Sequence, residues 1–175
     1  FAPGQVLYPG PELTIIEGTN GSGKTRLVNA LKSHVSAALL QMDHATPQAL
    51  LSLIFVDKRN IISLGQESQF LKELVGVGEG ATHTARMTSE VATGIWQDAN
   101  MDYDPRRAQA SIHVSHDGEV SMQTSDGNKP MNDYYSAMGE RVSVDLAIRI
   151  ALRKTLGLTV PMVMDDIIDC LSFLS

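Results

Sequence analysis

Apolar residues recur at helical spacing in two long stretches of the chain. Leu27, Val28, Leu31, Val35 and Leu39 stand three or four positions apart, which predicts an amphipathic helix over residues 24–41 with one buried face. Residues 140–156 carry a denser pattern of Ala, Leu, Ile and Arg, and Gly157 supplies a stop. Two shorter helices are expected over 69–75, ending at the glycines at 76, 78 and 80, and over 84–98. The strand signals are shorter. Residues 51–56 form an apolar run closed by Asp57-Lys58-Arg59, the form of a buried strand. Residues 110–115 and 119–124 alternate on either side of His116-Asp117-Gly118, which predicts a hairpin, and a second turn follows at Asp126-Gly127. A strand pair over 5–8 and 13–16 is expected around Pro9-Gly10-Pro11, and a last strand over 158–164 runs into Asp165-Asp166. Strands alternating with helices predict an α/β fold with a largely parallel sheet.

Composition narrows the class without changing this outline. A chain of 175 residues, 43% apolar and 19% charged, is one globular domain and excludes disordered and collagen-like readings. The single cysteine, Cys170, excludes an intrachain disulfide and points to a reducing, cytoplasmic setting. Cys170 itself is expected as a small buried side chain. No apolar run approaches the roughly 20 residues that span a bilayer, so no membrane insertion is expected. The net charge of −6 excludes a broadly basic, nucleic-acid-coating surface. Lys58-Arg59 and Arg106-Arg107 read as ordinary solvated pairs. His34, His44, His83, His113 and His116 show no metal-ligand spacing. The start at Phe1 and the stop soon after an apolar, acidic stretch are what a fragment of a longer protein would show.

Candidate chemistry concentrates at two places. Gly18-Thr19-Asn20-Gly21-Ser22-Gly23-Lys24-Thr25 fits the pattern G-x-x-x-x-G-K-[ST], placed between an expected strand and an expected helix. Glycines let the backbone curl until successive N–H groups face a phosphate, and the helix start adds its dipole and unpaired donors. Lys24 would then meet the β- and γ-phosphates and the Thr25 hydroxyl would hold Mg²⁺. The second place is the end of the strand Val160–Met164, where Asp165 is the expected metal-side carboxylate. Asp166 is the expected general base toward water.

With these residues in place a family resemblance emerges. Asn20-Gly21-Ser22-Gly23-Lys24-Thr25 resembles the "NGSGK[ST]" loop of ABC-type ATPases, in particular the SMC, RecF and RecN-like DNA-repair branch. Ser136-Ala137-Met138-Gly139-Glu140-Arg141 and the helix after it resemble the "LSGGE" signature and its helix. The resemblance covers both ends of the chain and leaves residues 46–107 poorly matched.

It implies one head domain over residues 1–175, with a P-loop ABC-head fold. That fold has a mostly parallel central sheet, helices on both faces and an antiparallel hairpin layer. It implies ATP and Mg²⁺ as cofactors, and a homodimer or pseudo-dimer closed around ATP. Ser136, Gly139 and Glu140 would meet the nucleotide of the other subunit, and Gln66 or Gln69 would sense Mg²⁺. Coupling to DNA repair, recombination or phage defence is implied, with DNA and a nuclease or other protein subunit as partners.

Departures from the family pattern accompany these implications. Met138 stands where glycine is usual, Asp166 where glutamate is usual, and Ser172 where a later aspartate is usual. They leave a slow or inactive nucleotide-gated dimerisation module as an alternative, beside an ABC transporter ATPase subunit. The separation of 113 positions from Lys24 to Ala137 is too short for a long coiled coil, and nothing between Lys72 and Arg107 sustains heptads. A removed coiled coil would have been spliced out near residues 76–105.

Overall fold

A computed structural model describes residues 16, 19–39, 47–57, 60–62, 67–76, 78–101, 107–124, 127–130, 138–159, 161–165 and 167. In chain order the elements are α1 (Lys24–Leu39), α2 (Pro47–Ile54), β1 (Phe55–Asp57), α3 (Gln69–Val75) and α4 (Glu79–Asn100). A 3₁₀ turn (Arg107–Gln109), β2 (Ser111–Val114), β3 (Val120–Thr124), β4 (Gly127–Pro130), α5 (Met138–Thr155) and β5 (Val163–Asp165) follow. Two sheets form, a parallel pair β1–β5 and an antiparallel meander β2–β3–β4. The expected strand pair over 5–8 and 13–16 lies outside the described residues, apart from Ile16, which is irregular.

Local chemistry sets several boundaries where the sequence places them. Ser68 caps α3 by accepting from the Leu71 amide at 3.4 Å. Gly76 closes α3, its N–H donating to Lys72 O at 3.1 Å. After α5, Gly157 takes φ +66°, its N–H donates to Lys154 O, and the Leu158 amide donates to Arg153 O. This crossed pair of bonds is the Schellman closure that a glycine permits. Gly80, by contrast, lies inside α4, which is seven residues longer than the expected 84–98 helix.

The apolar run at 51–56 behaves differently from its expectation. Pro47 opens α2, and Ala49, Leu50, Leu53 and Ile54 are buried on one helical face, so strand structure begins only at Phe55. Its fixed φ and missing N–H suit Pro47 to a first helical position, and a short apolar run has no period of its own to decide between helix and strand. The last strand likewise shrinks from 158–164 to Val163–Asp165. The meander gains a third strand, β4, after the expected hairpin.

The core is built around α4 and α5. Ala81, Ala85, Thr88, Ala92 and Trp96 make the buried stripe of α4, which packs against α5 and β2. Alanine every third or fourth position lets the backbones approach closely. Ser89 and Thr93, one helical turn apart, bond the outer edge of β2. The Ser89 hydroxyl receives the Val114 amide at 2.9 Å and donates to Ala85 O at 2.8 Å, and Thr93 Oγ1 receives the Ile112 amide at 2.9 Å and donates to Ile112 O at 3.2 Å. Side chains of a helix thus satisfy backbone groups that a further strand would otherwise pair.

Helix α5 is buried nearly all round, through Val142, Val144, Ala147, Ile148, Ala151 and Leu152. It also carries Asp145 and Arg149, both 0% exposed, joined Nε to Oδ2 at 2.7 Å. Asp145 Oδ1 also receives the Ile62 amide at 3.0 Å. Arg149 donates further to the carbonyls of Ser52 and Asn60 and lies 5.0 Å over the Phe70 ring. Helix α1 is peripheral. Leu27, Val28 and Val35 are half-buried and Leu31 is 37% exposed, so its expected buried face is only partly covered among the described residues.

Candidate functional site

The glycine-rich loop folds as a tight turn leading straight into α1. The Ser22 amide donates to Thr19 O at 3.1 Å, and the Leu27 amide closes the first helical turn on Gly23 O at 3.0 Å. Gly21 and Gly23 take φ of +85° and +95°, with open space where a Cβ would stand. The glycines are therefore required by backbone conformation and not by crowding. Asn20, Gly21, Ser22 and Thr25 are exposed, while Gly23 and Lys24 are half-buried. Lys24 folds back over the loop, its Nζ donating to Thr19 O at 3.1 Å.

Electrostatics favour an anion at this turn. The first turn of α1 contains no acid and two cations, Lys24 and Arg26. Cations at the positive end of a helix are unfavourable by themselves, and an anion in the turn reverses the sign of that term. A helix start, whose first amides lack intrahelical acceptors, points the same way.

The second candidate group sits at the carboxyl ends of the parallel pair. Register places Phe55 beside Val163, Val56 beside Met164 and Asp57 beside Asp165. Adjacent strands lie about 4.8 Å apart, so the two carboxylates stand together on one face. Lys32 of α1 lies 3.8 Å from Asp57 and offsets part of their repulsion. It stands eight residues after Lys24, about 12 Å farther along the helix. Helix α1 also packs against β5. Neither the Thr25 hydroxyl nor the Asp165 carboxylate makes a hydrogen bond or ion pair to another described residue. Among the described residues no cluster of three His, Cys, Asp or Glu side chains forms a metal cage.

The other expected site residues distribute as follows. Gly139 is buried and Glu140 half-buried in the first turn of α5, where Gly139 O receives the Ser143 hydroxyl at 3.0 Å. Gln69 opens α3 and donates to Glu73 on its own helix at 2.8 Å. Asp166, Ser136 and Gln66, with Cys170, Ser172, Lys58, Arg59 and Arg106, lie outside the described residues. His34, His83, His113 and His116 are exposed.

Sequence reasoning passed over Asp57. The signal was present, since Asp57 ends an apolar run just as Asp165 does, but only strand register shows that the two are neighbours. It also passed over Asp145 and Arg149. Their spacing of four on an otherwise apolar helix was the available sign of a buried pair. No family model, curated protein or solved structure matches this chain.

Proposed function

We propose that the chain is a P-loop ATPase head that binds MgATP, hydrolyses it and dimerises around it, coupling this cycle to work on DNA. The observation that carries the reading is the loop Thr19–Gly23. It has two positive-φ glycines, a following helix with two cations and no acid in its first turn, and Lys24 lying across the loop.

These donors fit a nucleotide's phosphates. Asn20, Gly21 and Gly23 would contribute backbone amides, while the Ser22 amide closes the turn on Thr19 O, and Lys24 would contribute a movable ammonium that exchanges Thr19 O for a phosphate oxygen. The hard oxygens of Thr25 and Asp165 suit Mg²⁺, which keeps several waters and takes few protein ligands. Bound there, the ion would neutralise phosphate charge. Asp166, the residue after Asp165, is assigned as general base from the sequence alone. Gly139 and Glu140, with Ser136, are assigned to the partner's nucleotide, and Gln66 to the metal, from the resemblance alone. DNA and a nuclease subunit as partners rest on that same resemblance.

The test is nucleotide binding and turnover by the wild-type protein and Lys24→Ala, each with and without double-stranded DNA. Turnover that DNA accelerates and Lys24→Ala abolishes is the expected result. ATP binding undiminished in Lys24→Ala would refute the assignment of the loop. Lys24-dependent turnover indifferent to DNA would retire the DNA coupling and leave the ATPase.

A further inference from the structure

A cavity of about 450 Å³ opens between α1 and α2 at the carboxyl end of β1, lined by Lys32, Ser33, Ser36, Gln48, Leu51, Ser52, Asp57 and Asn60. Its size falls within the roughly 300–1,000 Å³ of ordinary small-molecule sites, and strand carboxyl ends are where open α/β sheets receive ligands. Lys32, the cation of this lining, stands about 12 Å along α1 from Lys24, so the cavity is set apart from the phosphate loop.

Three features give the lining its chemistry. The first is charge. Lys32 and Asp57 face each other at 3.8 Å, and Lys32 also lies 5.5 Å over the Phe55 ring. The pair offers a ligand a charged donor and a charged acceptor side by side. The second is hydrogen-bonding capacity that no other described residue uses. The hydroxyls of Ser36 and Ser52 and the carboxamide of Gln48 make no hydrogen bond to any described residue. The Ser33 hydroxyl donates to Asn29 O at 3.0 Å and keeps its acceptor lone pairs. Leu51 adds an apolar surface against which the C–H face of a ring can rest.

The third feature is rigidity. Asn60 is fixed at both ends of its carboxamide, donating to Phe55 O at 2.6 Å and accepting from the Asp57 amide at 2.8 Å. The carbonyls of Ser52 and Asn60 are both held by the fully buried Arg149. Arg149 therefore ties together two walls of the cavity, from α2 and from the segment after β1. A wall fixed before binding lowers the ordering cost of a ligand.

We propose that this cavity binds a hydroxyl-rich ring compound, a monosaccharide or the sugar of a nucleoside. Serine hydroxyls and carboxamides both donate and accept, as a polyol requires. The site is independent of the phosphate loop and does not rest on the ATPase reading.

Saturation-transfer NMR on the full chain tests it, with glucose, ribose and uridine as separate probes. The proteins are wild type, the double variant Ser36→Val/Ser52→Val, and Lys24→Ala. Both serines are half-buried on helix surfaces, and circular dichroism checks that the double variant keeps its helices. Transfer to at least one probe is expected, weakened about tenfold or more in the double variant, the loss of one to two ordinary hydrogen bonds. It is expected to be unchanged in Lys24→Ala. Signal for glucose and ribose identifies a sugar site, and signal for uridine alone identifies a nucleoside site. No transfer to any probe, equal transfer in the folded double variant, or loss of transfer in Lys24→Ala would each overturn the proposal.

Discussion

Replacing Arg149 by Met removes the cation from the most deeply buried polar cluster of the described structure while keeping an unbranched apolar stem. Three groups lose a donor together: the Asp145 carboxylate, which is 0% exposed and keeps only the Ile62 amide, and the carbonyls of Ser52 and Asn60. Breaking one side of a buried ion pair costs about 3–5 kcal/mol, because the remaining charge stays out of water. Adding full penalties for both carbonyls would double-count, since the segment relaxes. We expect about 4 kcal/mol, a large share of the roughly 5–15 kcal/mol that holds a typical domain. At roughly 2–4 °C per kcal/mol for a chain of this size, the melting temperature falls by about 8–16 °C.

The pH dependence carries a sign. Burial pushes the Asp145 carboxyl above its ordinary value, against the pull of the Arg149 charge, its hydrogen bond and the Ile62 amide. A folded value above the unfolded one means stability present at low pH and lost as pH rises through the folded value. Without Arg149 two of the three opposing pulls vanish and the carboxyl moves higher still. The deficit of Arg149→Met relative to wild type should therefore shrink as pH is lowered from neutrality toward about 5. Urea denaturation across pH measures this, with the double variant Asp145→Leu/Arg149→Met beside it. Removing both charges should cost about 2 kcal/mol, less than Arg149→Met alone. A single-variant cost below about 1 kcal/mol, or a deficit that grows on acidification, would refute the reasoning.

The hairpin turn supplies a second expectation. Gly118 has φ +80°, and a Cβ there would lie 2.7 Å from Lys72 N and Ser68 O, so Gly118→Ala should cost about 1–3 kcal/mol by chemical denaturation. At the helix-covered sheet edge, Thr93→Val keeps the shape but strands the Ile112 amide, which bonds Thr93 Oγ1 at 2.9 Å. Faster hydrogen exchange at Ile112, with about 1–3 kcal/mol of lost stability, is expected. Exchange at Ile112 unchanged in that variant would mean that α4 does not satisfy the β2 edge. In the phosphate loop, Gly23→Ala forces an L side chain to φ +95° and should weaken ATP binding in a filter or calorimetric assay more than it lowers stability.

Signals confined to a few neighbouring residues were legible from the sequence alone. The glycine-rich turn before α1, the Gly157 stop, the helices over residues 69–75 and 140–156, and the hairpin around Gly118 all depend on local backbone conformation and on periodicity. They came out within a few residues of their expected bounds. The acid at the end of a strand, Asp165, was legible for the same reason.

Tertiary structure decided whatever depended on what lies next to what. Residues 51–54 are apolar in a way that suits helix or strand equally, and packing of Ala49, Leu50, Leu53 and Ile54 into the core selected the helix. The hydrophobic face of α1 is legible, yet how far it is covered depends on its neighbours, which leave Leu31 37% exposed. Strand register alone brought Asp57 beside Asp165 across more than a hundred residues. The same holds for Arg149, whose partners Ser52 and Asn60 lie far away in sequence and close only on folding. A one-dimensional pattern records which side chains want burial or water, and it carries no term for which distant carbonyl a buried guanidinium will find.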